Sequence, residues 1–140
     1  MQVSKTTDFA LRVLLYAGSN PDELVTQAQM AEFFDISHEH LRKVVHELGQ
    51  HGFLKTYRGR GGGLQLGRTP DKINLGEVVD LFERRGPIIA CEKLECPLAR
   101  RCYLKDILEE GSNAFIDTIR KYTLADVLED RRNPRALMVR

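Results

Sequence analysis

The chain has 140 residues, 42% of them apolar and 29% charged, with 21 basic and 20 acidic side chains. That length supports one compact core with an appended element, not two full cores, and the composition is that of an ordinary soluble protein. No apolar run approaches the roughly 18 residues of a membrane span and the N-terminus lacks a signal-peptide layout, so a cytoplasmic location with no membrane partner is expected.

Residues 4 to 18 form the first predicted helix, with Ser4 or Thr6 as N-cap and Phe9, Val13 and Tyr16 or Ala17 along one face. Asn20-Pro21-Asp22 breaks it. Thr26 caps a second helix, Gln27 to Phe34, whose apolar stripe is Ala28, Met30, Ala31 and Phe34. After a tight turn at Asp35-Ile36, Ser37 caps a third helix running to about Gln50. Leu41, Val44, Val45 and Leu48 give that helix its inner face. His51-Gly52 ends it. Two short strands follow, Phe53 to Arg58 and Leu64 to Gly67, joined by the glycine-rich tip 59–63 and closed by Thr69-Pro70-Asp71. A fourth helix is predicted from Asn74 to Arg84, with Val78, Val79 and Phe82 inward. A loop over 86–102 leads to a long helix from Tyr103 to Tyr122. A short helix, Leu124 to Glu129, precedes a polar tail.

Helix, turn, helix and hairpin make up a winged helix-turn-helix, so the expected fold is mainly α with a small β-hairpin. The expected organisation is a winged helix-turn-helix DNA-binding domain over 1–85, a cysteine-containing cluster-binding loop over 86–102, and a dimerisation helix with C-terminal tail over 103–140. Charge supports a nucleic-acid partner. The net charge is only +1, yet residues 37–68 carry six basic and two acidic side chains, and all four histidines lie there. A basic block in a near-neutral chain suits a polyanion met by one face, although a solvated surface has the same composition.

The buried Leu/Val face of the third helix leaves Ser37, His38, Glu39, His40, Arg42, Lys43 and His46 for solvent, its N-terminal end entering a major groove. Backbone N–H groups at the helix starts capped by Thr26 and Ser37 suit phosphate oxygens. Arg58 and Arg60, flanking glycines of the wing, suit a narrow minor groove. Chemical alternatives fail. Gly59-x-Gly61-x-Gly63 is followed by a strand and by no Gly-Lys-Ser/Thr, so it is not a phosphate loop. His46 and His51 stand roughly 140° apart around a helix and cannot share a metal there. No nucleophile–base arrangement or carboxylate pair stands out, so no enzyme is expected.

All three cysteines fall within twelve consecutive residues, as Cys91-x4-Cys96-x5-Cys102. Thiolates at that spacing suit a soft metal or an iron–sulfur cluster, which as a rule takes four protein ligands. Zinc, a reversible disulfide or plain thiols are the alternatives. Arg100 and Arg101 beside Cys102 favour thiolate over thiol. In the long helix, Leu104, Leu108, Gly111, Phe115 and Tyr122, joined by Ile107 and Ile119, fall near a 3.5-residue repeat. Such a helix pairs with a symmetry mate, giving a homodimer that reads a palindromic operator, or folds back on its own domain.

Together, Asp8-Phe9-Ala10-Leu11-Arg12, the wing Arg58-Gly59-Arg60-Gly61-Gly62-Gly63, Gly76-Glu77-Val78-Val79, the cysteine run and Tyr122-Thr123-Leu124-Ala125-Asp126 resemble the iron–sulfur winged-helix transcriptional regulators. The resemblance covers nearly the whole chain. It implies a homodimer whose binding to double-stranded promoter DNA depends on a cluster held by Cys91, Cys96 and Cys102. Members that regulate cluster biogenesis carry a histidine three residues after the last cysteine; Lys105 stands there, and no histidine follows His51. The nitric-oxide-sensing branch, with a non-cysteine fourth ligand, is the better match, and Asp8 is the candidate for that ligand. A carboxylate is a hard, weak partner for iron beside thiolates. The competing reading of Asp8 is a surface ion pair with Arg12 at i, i+4. A two-iron or a four-iron cluster fits equally. The implied function is a dimeric repressor released from promoter DNA when nitric oxide attacks the cluster; the alternative is a regulator of the same family sensing iron, cluster or redox status.

Overall fold

Helix α1, Lys5–Ser19, runs through the middle of the molecule, and the later helices pack on it or on its immediate neighbours. A computed structural model describes residues 1–83, 86–132 and 135–138. Ser4 is the N-cap of α1, its Oγ accepting the Thr7 N–H at 3.2 Å. Ala10, Val13, Leu14, Tyr16 and Ala17 are all buried, on faces that meet three later helices and the hairpin. Val13 and Leu14 each contribute about 1.5–3 kcal/mol when fully removed from water.

Helix α2, Gln27–Phe34, opens on a capping box: Thr26 Oγ1 accepts the Gln29 N–H and Gln29 Oε1 accepts the Thr26 N–H. Its stripe differs from expectation at one position. Ala28 is exposed, and Phe33 instead joins Tyr16 and Phe34 in an edge-on aromatic cluster, with the Arg12 guanidinium over Phe34. Asp35 turns the chain in the left-handed conformation (φ 54°). Ser37 then caps α3, His38–Gln50, whose Leu41, Val44, Val45 and Leu48 are all buried as the periodicity required.

Strands β1, Leu54–Tyr57, and β2, Gly63–Leu66, form the antiparallel wing, with Leu54 opposite Leu66 and Tyr57 opposite Gly63. The first is shorter than the sequence suggested by one residue at each end, and the second has the expected length but begins and ends one residue earlier. Phe53 belongs to the end of α3, returning its N–H to the Leu48 carbonyl, and Arg58 already lies in the tip. Gly59 and Gly61 take positive φ, 91° and 75°, which only glycine adopts without strain. Val25, in the connector between α1 and α2, exchanges two hydrogen bonds with Leu64, 2.9 and 2.8 Å, and so ties the wing to the helical body.

After a 3-10 turn at Pro70–Lys72, helix α4 spans Leu75–Glu83; the predicted last residue, Arg84, and the boundary at residue 85 lie outside the described residues. Helix α5 is Tyr103–Ile119, ending before the expected Tyr122. The chain bends there to meet the start of α4. Leu75 N–H donates to the Tyr122 carbonyl, Leu124 N–H to the Ile73 carbonyl, and Asn74 Nδ2 to the Arg120 carbonyl. Gly76 sits at this joint because a Cβ would come within 2.7 Å of the Arg120 nitrogen. Helix α6, Leu124–Glu129, starts on a second capping box from Thr123 and packs back on α1. Part of the expected polar tail is a short helix, α7, Arg135–Met138. Its Met138 is buried, and Asn20 Nδ2 donates to the Met138 and Tyr16 carbonyls.

Candidate nucleic-acid interface and cysteine loop

The first turn of α3 presents Ser37, His38 and Glu39 to solvent, followed by Arg42, Lys43 and His46 on the same exposed side. Ser37 spends its hydroxyl on the cap, accepting the His40 N–H at 3.3 Å, and Thr26 is half-buried in its capping box. The remaining N–H groups at these helix starts are the ones open to a phosphate oxygen. Lys43 lies 3.4 Å from Glu39 across a fully solvated i, i+4 pair, which holds it weakly. Arg42, Arg58 and Arg60 are exposed and form no ion pair among the described residues.

His40 departs from the expectation of a solvent-facing reader. It is half-buried, its ring packs edge-on against Phe9 with centroids 4.7 Å apart, and its Nε2 lies 3.2 Å from Thr6 Oγ1. The physical reason is helical geometry: His40 neighbours Leu41 and lies four residues before Val44, at the border of the buried arc where α1 crosses. A groove lined by Thr6, His40, Lys43, His46, Glu47 and Gln50 runs beside it.

The base of the wing is braced by Arg68. Its guanidinium stacks over Phe53 at 4.4 Å, donates to the His51 carbonyl at 2.7 Å and pairs with Glu77 at 3.6 Å. His51 itself ends α3, its backbone N–H and its Nδ1 both reaching the Glu47 carbonyl.

Residues 86–102 form a succession of tight turns between α4 and α5. Cys96 N–H donates to the Cys91 carbonyl at 3.1 Å, Ala99 N–H to the Cys96 carbonyl, and Lys105 N–H to the Cys102 carbonyl. Glu95 adopts a left-handed φ of 49°, a conformation disfavoured for a side chain with a Cβ. Cys91 is buried, Cys96 and Cys102 are half-exposed, and all three are free thiols. Cys102 is the N-cap residue of α5.

Asp8, half-exposed on α1, makes a two-pronged pair with Arg12: Nε to Oδ1 and Nη2 to Oδ2, both at 2.9 Å. Among the described residues of one chain, no three His, Cys, Asp or Glu side chains converge where they could hold a metal ion. The structure thus gathers the three cysteines into one loop without bringing them and Asp8 to a common point. The identity of the donors does fit an iron–sulfur centre: three unbridged thiols in one segment, with Lys93, Arg100 and Arg101 to offset thiolate charge.

Helix α5 buries one residue, Ile116, and runs along α4. Tyr103, Leu104 and Ile107 are 77%, 60% and 46% exposed, and Leu94 and Leu98 in the loop before it are also exposed. Apolar side chains left open in contiguous order mark a surface that meets another surface.

Sequence reasoning missed one contact near this loop. Glu83, the last residue of α4, accepts the Ser4 N–H at 2.8 Å and the Thr7 hydroxyl at 2.5 Å, both on Oε1. Its partners lie 79 and 76 positions away, so no local pattern announces it.

Helix-turn-helix, wing and an exposed side of α3 that carries Arg42 and Lys43 define a winged helix-turn-helix transcriptional regulator. Comparison with known proteins supplies the family. Residues 3–130 match the model of Rrf2, an iron-dependent transcriptional regulator, and the chain belongs to the Rrf2 family. It is similar to the HTH-type transcriptional regulator NsrR of Bacillus licheniformis, 39% identical over 142 residues and covering 99% of each chain. It is 42% identical to NsrR of Bacillus subtilis over 135 residues, covering 94% of this chain and 92% of that one. Among solved structures, the oxidised form of Staphylococcus aureus CymR superposes with a TM-score of 0.73, at 22% identity over 93% of this chain and 98% of that chain, a likeness of fold. These relatives are transcriptional regulators and not enzymes. No helix among the described residues is long and apolar enough to cross a membrane.

Proposed function

We propose that the protein is a homodimeric repressor that binds promoter DNA in the cytoplasm while Cys91, Cys96 and Cys102, with Asp8, hold an iron–sulfur cluster, and that nitric oxide relieves the repression. The observation that carries this reading is the placement of three free thiols in the one loop joining the DNA-reading half to α5, a helix whose apolar side is open. The similarity over nearly the whole chain to HTH-type transcriptional regulators supports the DNA-binding part of the reading. When bound, the cluster supplies iron that takes up nitric oxide, most readily where the protein ligand is weak, as a carboxylate is.

The chain's own residues do the rest. Cys91 is the buried cysteine of the loop, and Cys102 stands at the N-cap position of α5, so holding both sulfurs fixes where α5 begins. With no three donors converging among the described residues of one chain, Asp8 completes the set either after the loop closes on α1 or from a second copy. Two copies joined along Leu104, Ile107, Leu108 and Phe115 set the distance between two recognition helices. His38, Arg42 and Lys43 then reach base edges and phosphates of a palindromic operator, with Arg58 and Arg60 in the minor groove. Release needs only a modest change: a hundredfold loss of affinity is about 2.8 kcal/mol, within the usual range of couplings between sites.

The test is anaerobic purification, followed by visible absorbance and operator binding before and after stoichiometric nitric oxide. Coloured protein that loses operator affinity with nitric oxide, but not with an iron chelator applied briefly, is the expected result. Colourless protein that binds equally well in both conditions refutes the reading, as does a Cys96→Ala variant that still responds to the gas.

A further inference from the structure

The opening turn of α1 touches two other elements of the molecule, and its own next turn, through four successive side chains. Thr6 and Phe9, three residues apart and so on one side of the helix, hold the His40 ring of the recognition helix. Asp8 pairs with Arg12. Thr7, fully buried, points the other way, to Glu83 at the foot of the cysteine loop.

The hydrogen-bond directions around Glu83 are determined. A carboxylate only accepts, so the Thr7 hydroxyl donates to Glu83. The Thr7 oxygen is then left to accept from the Ser4 hydroxyl, 2.9 Å away, and the Ser4 oxygen accepts the Thr7 N–H. Ser4 N–H closes the ring by donating to the same Glu83 oxygen. The negative end of this network sits at the positive end of a 15-residue helix, an arrangement that charge favours.

We propose that Glu83 is a positioning residue that couples the cysteine loop to the recognition helix, by fastening through Thr7 and Ser4 the same turn of α1 that grips His40. A displacement of the loop pulls on the end of α4, Glu83 shifts the first turn of α1, and Thr6 and Phe9 carry the shift to α3. This deepens, and rests on, the reading of the loop as a sensor. It assigns the coupling to a route inside each subunit, separate from the spacing set by α5.

Two experiments on the full chain test it. The first compares operator affinity of cluster-loaded and cluster-free protein for wild type, Thr7→Val and Thr7→Ser. Couplings of this kind lie at about 5–150-fold. Thr7→Val should bring the ratio to within about threefold of unity, with cluster absorbance as in wild type. Thr7→Ser, which keeps the hydroxyl, should restore it. A wild-type ratio in Thr7→Val overturns the proposal, and so does an equal loss in Thr7→Ser, which would implicate the methyl group's packing. The second needs no cluster: hydrogen exchange of cluster-free wild type, Thr7→Val and Glu83→Gln. The amides of Ser4, Thr7 and Asp8 should exchange faster in both variants together with those of His40 and Leu41. Acceleration confined to α1 overturns the link to the recognition helix. A wild-type protein whose affinity ignores the cluster refutes the sensing role, and the exchange data still decide whether Glu83 holds α3.

Discussion

Replacing Gly76 by Ala tests how tightly the start of α4 is locked to the end of α5. An added Cβ would lie 2.7 Å from the Arg120 nitrogen and 2.8 Å from its Cα, distances real Cβ atoms do not reach. Backbone cannot swing away as a side chain can, and Arg120 is further held by Asp80 at 2.7 Å and by its carbonyl bond to Asn74. Overpacking costs about 1–3 kcal/mol, and the backbone contact puts this site near the upper end. The gain in helix propensity on losing a glycine returns up to about 1 kcal/mol, leaving a net loss of about 2 kcal/mol. With about 2.1 cal/mol/K of unfolding entropy per residue over 140 residues, the midpoint should fall by about 7 °C. Thermal unfolding followed by circular dichroism measures it. Gly49→Ala, where a Cβ meets nothing within 4 Å, is the control and should hold or raise the midpoint. A Gly76→Ala protein as stable as wild type would mean the two helices part without cost, and the account of this joint would be wrong.

Thr26→Ala removes the side-chain half of the α2 capping box, the Gln29 N–H to Thr26 Oγ1 bond, and should cost about 1 kcal/mol, seen as a midpoint about 3 °C lower; an unchanged midpoint would mean water caps the helix as well. Arg60→Ala should weaken operator binding and reduce the slope of log affinity against log salt by about 1 per subunit, about 2 for a bound dimer, measured by titration at several salt concentrations. No change in either places Arg60 away from DNA. Leu104→Asp, at a side chain 60% exposed, should leave monomer stability within about 0.5 kcal/mol while abolishing self-association in sedimentation equilibrium. A persistent dimer would put the contact elsewhere.

The reading half was legible because its signals are local. Ser4, Thr26 and Ser37 each cap the helix they precede, and four Leu/Val residues at helical spacing fixed the inner side of α3. The wing was legible from its glycines, although Phe53 and Arg58 fall outside the paired strand because α3 and the tip claim them. Contacts decided by tertiary packing were not legible. His40 lies at the edge of a buried arc, where one crossing helix determines whether it faces water. The end of α5 depends on bonds to residues 73–75, and burial of Met138 depends on Asn20 at the far end of α1. Glu83 belongs to the same class: its role exists only once α1 and α4 lie side by side.

The pairing of Val25 with Leu64 has a consequence for how a half-site is met. Hairpin wings are commonly treated as pliable flaps, but this one is stitched at its middle to the segment between α1 and α2, and clasped at its root by Arg68. Helix and wing therefore travel as a single stiff caliper of constant opening. A stretched or underwound target is not accommodated by flexing the jaws of one chain.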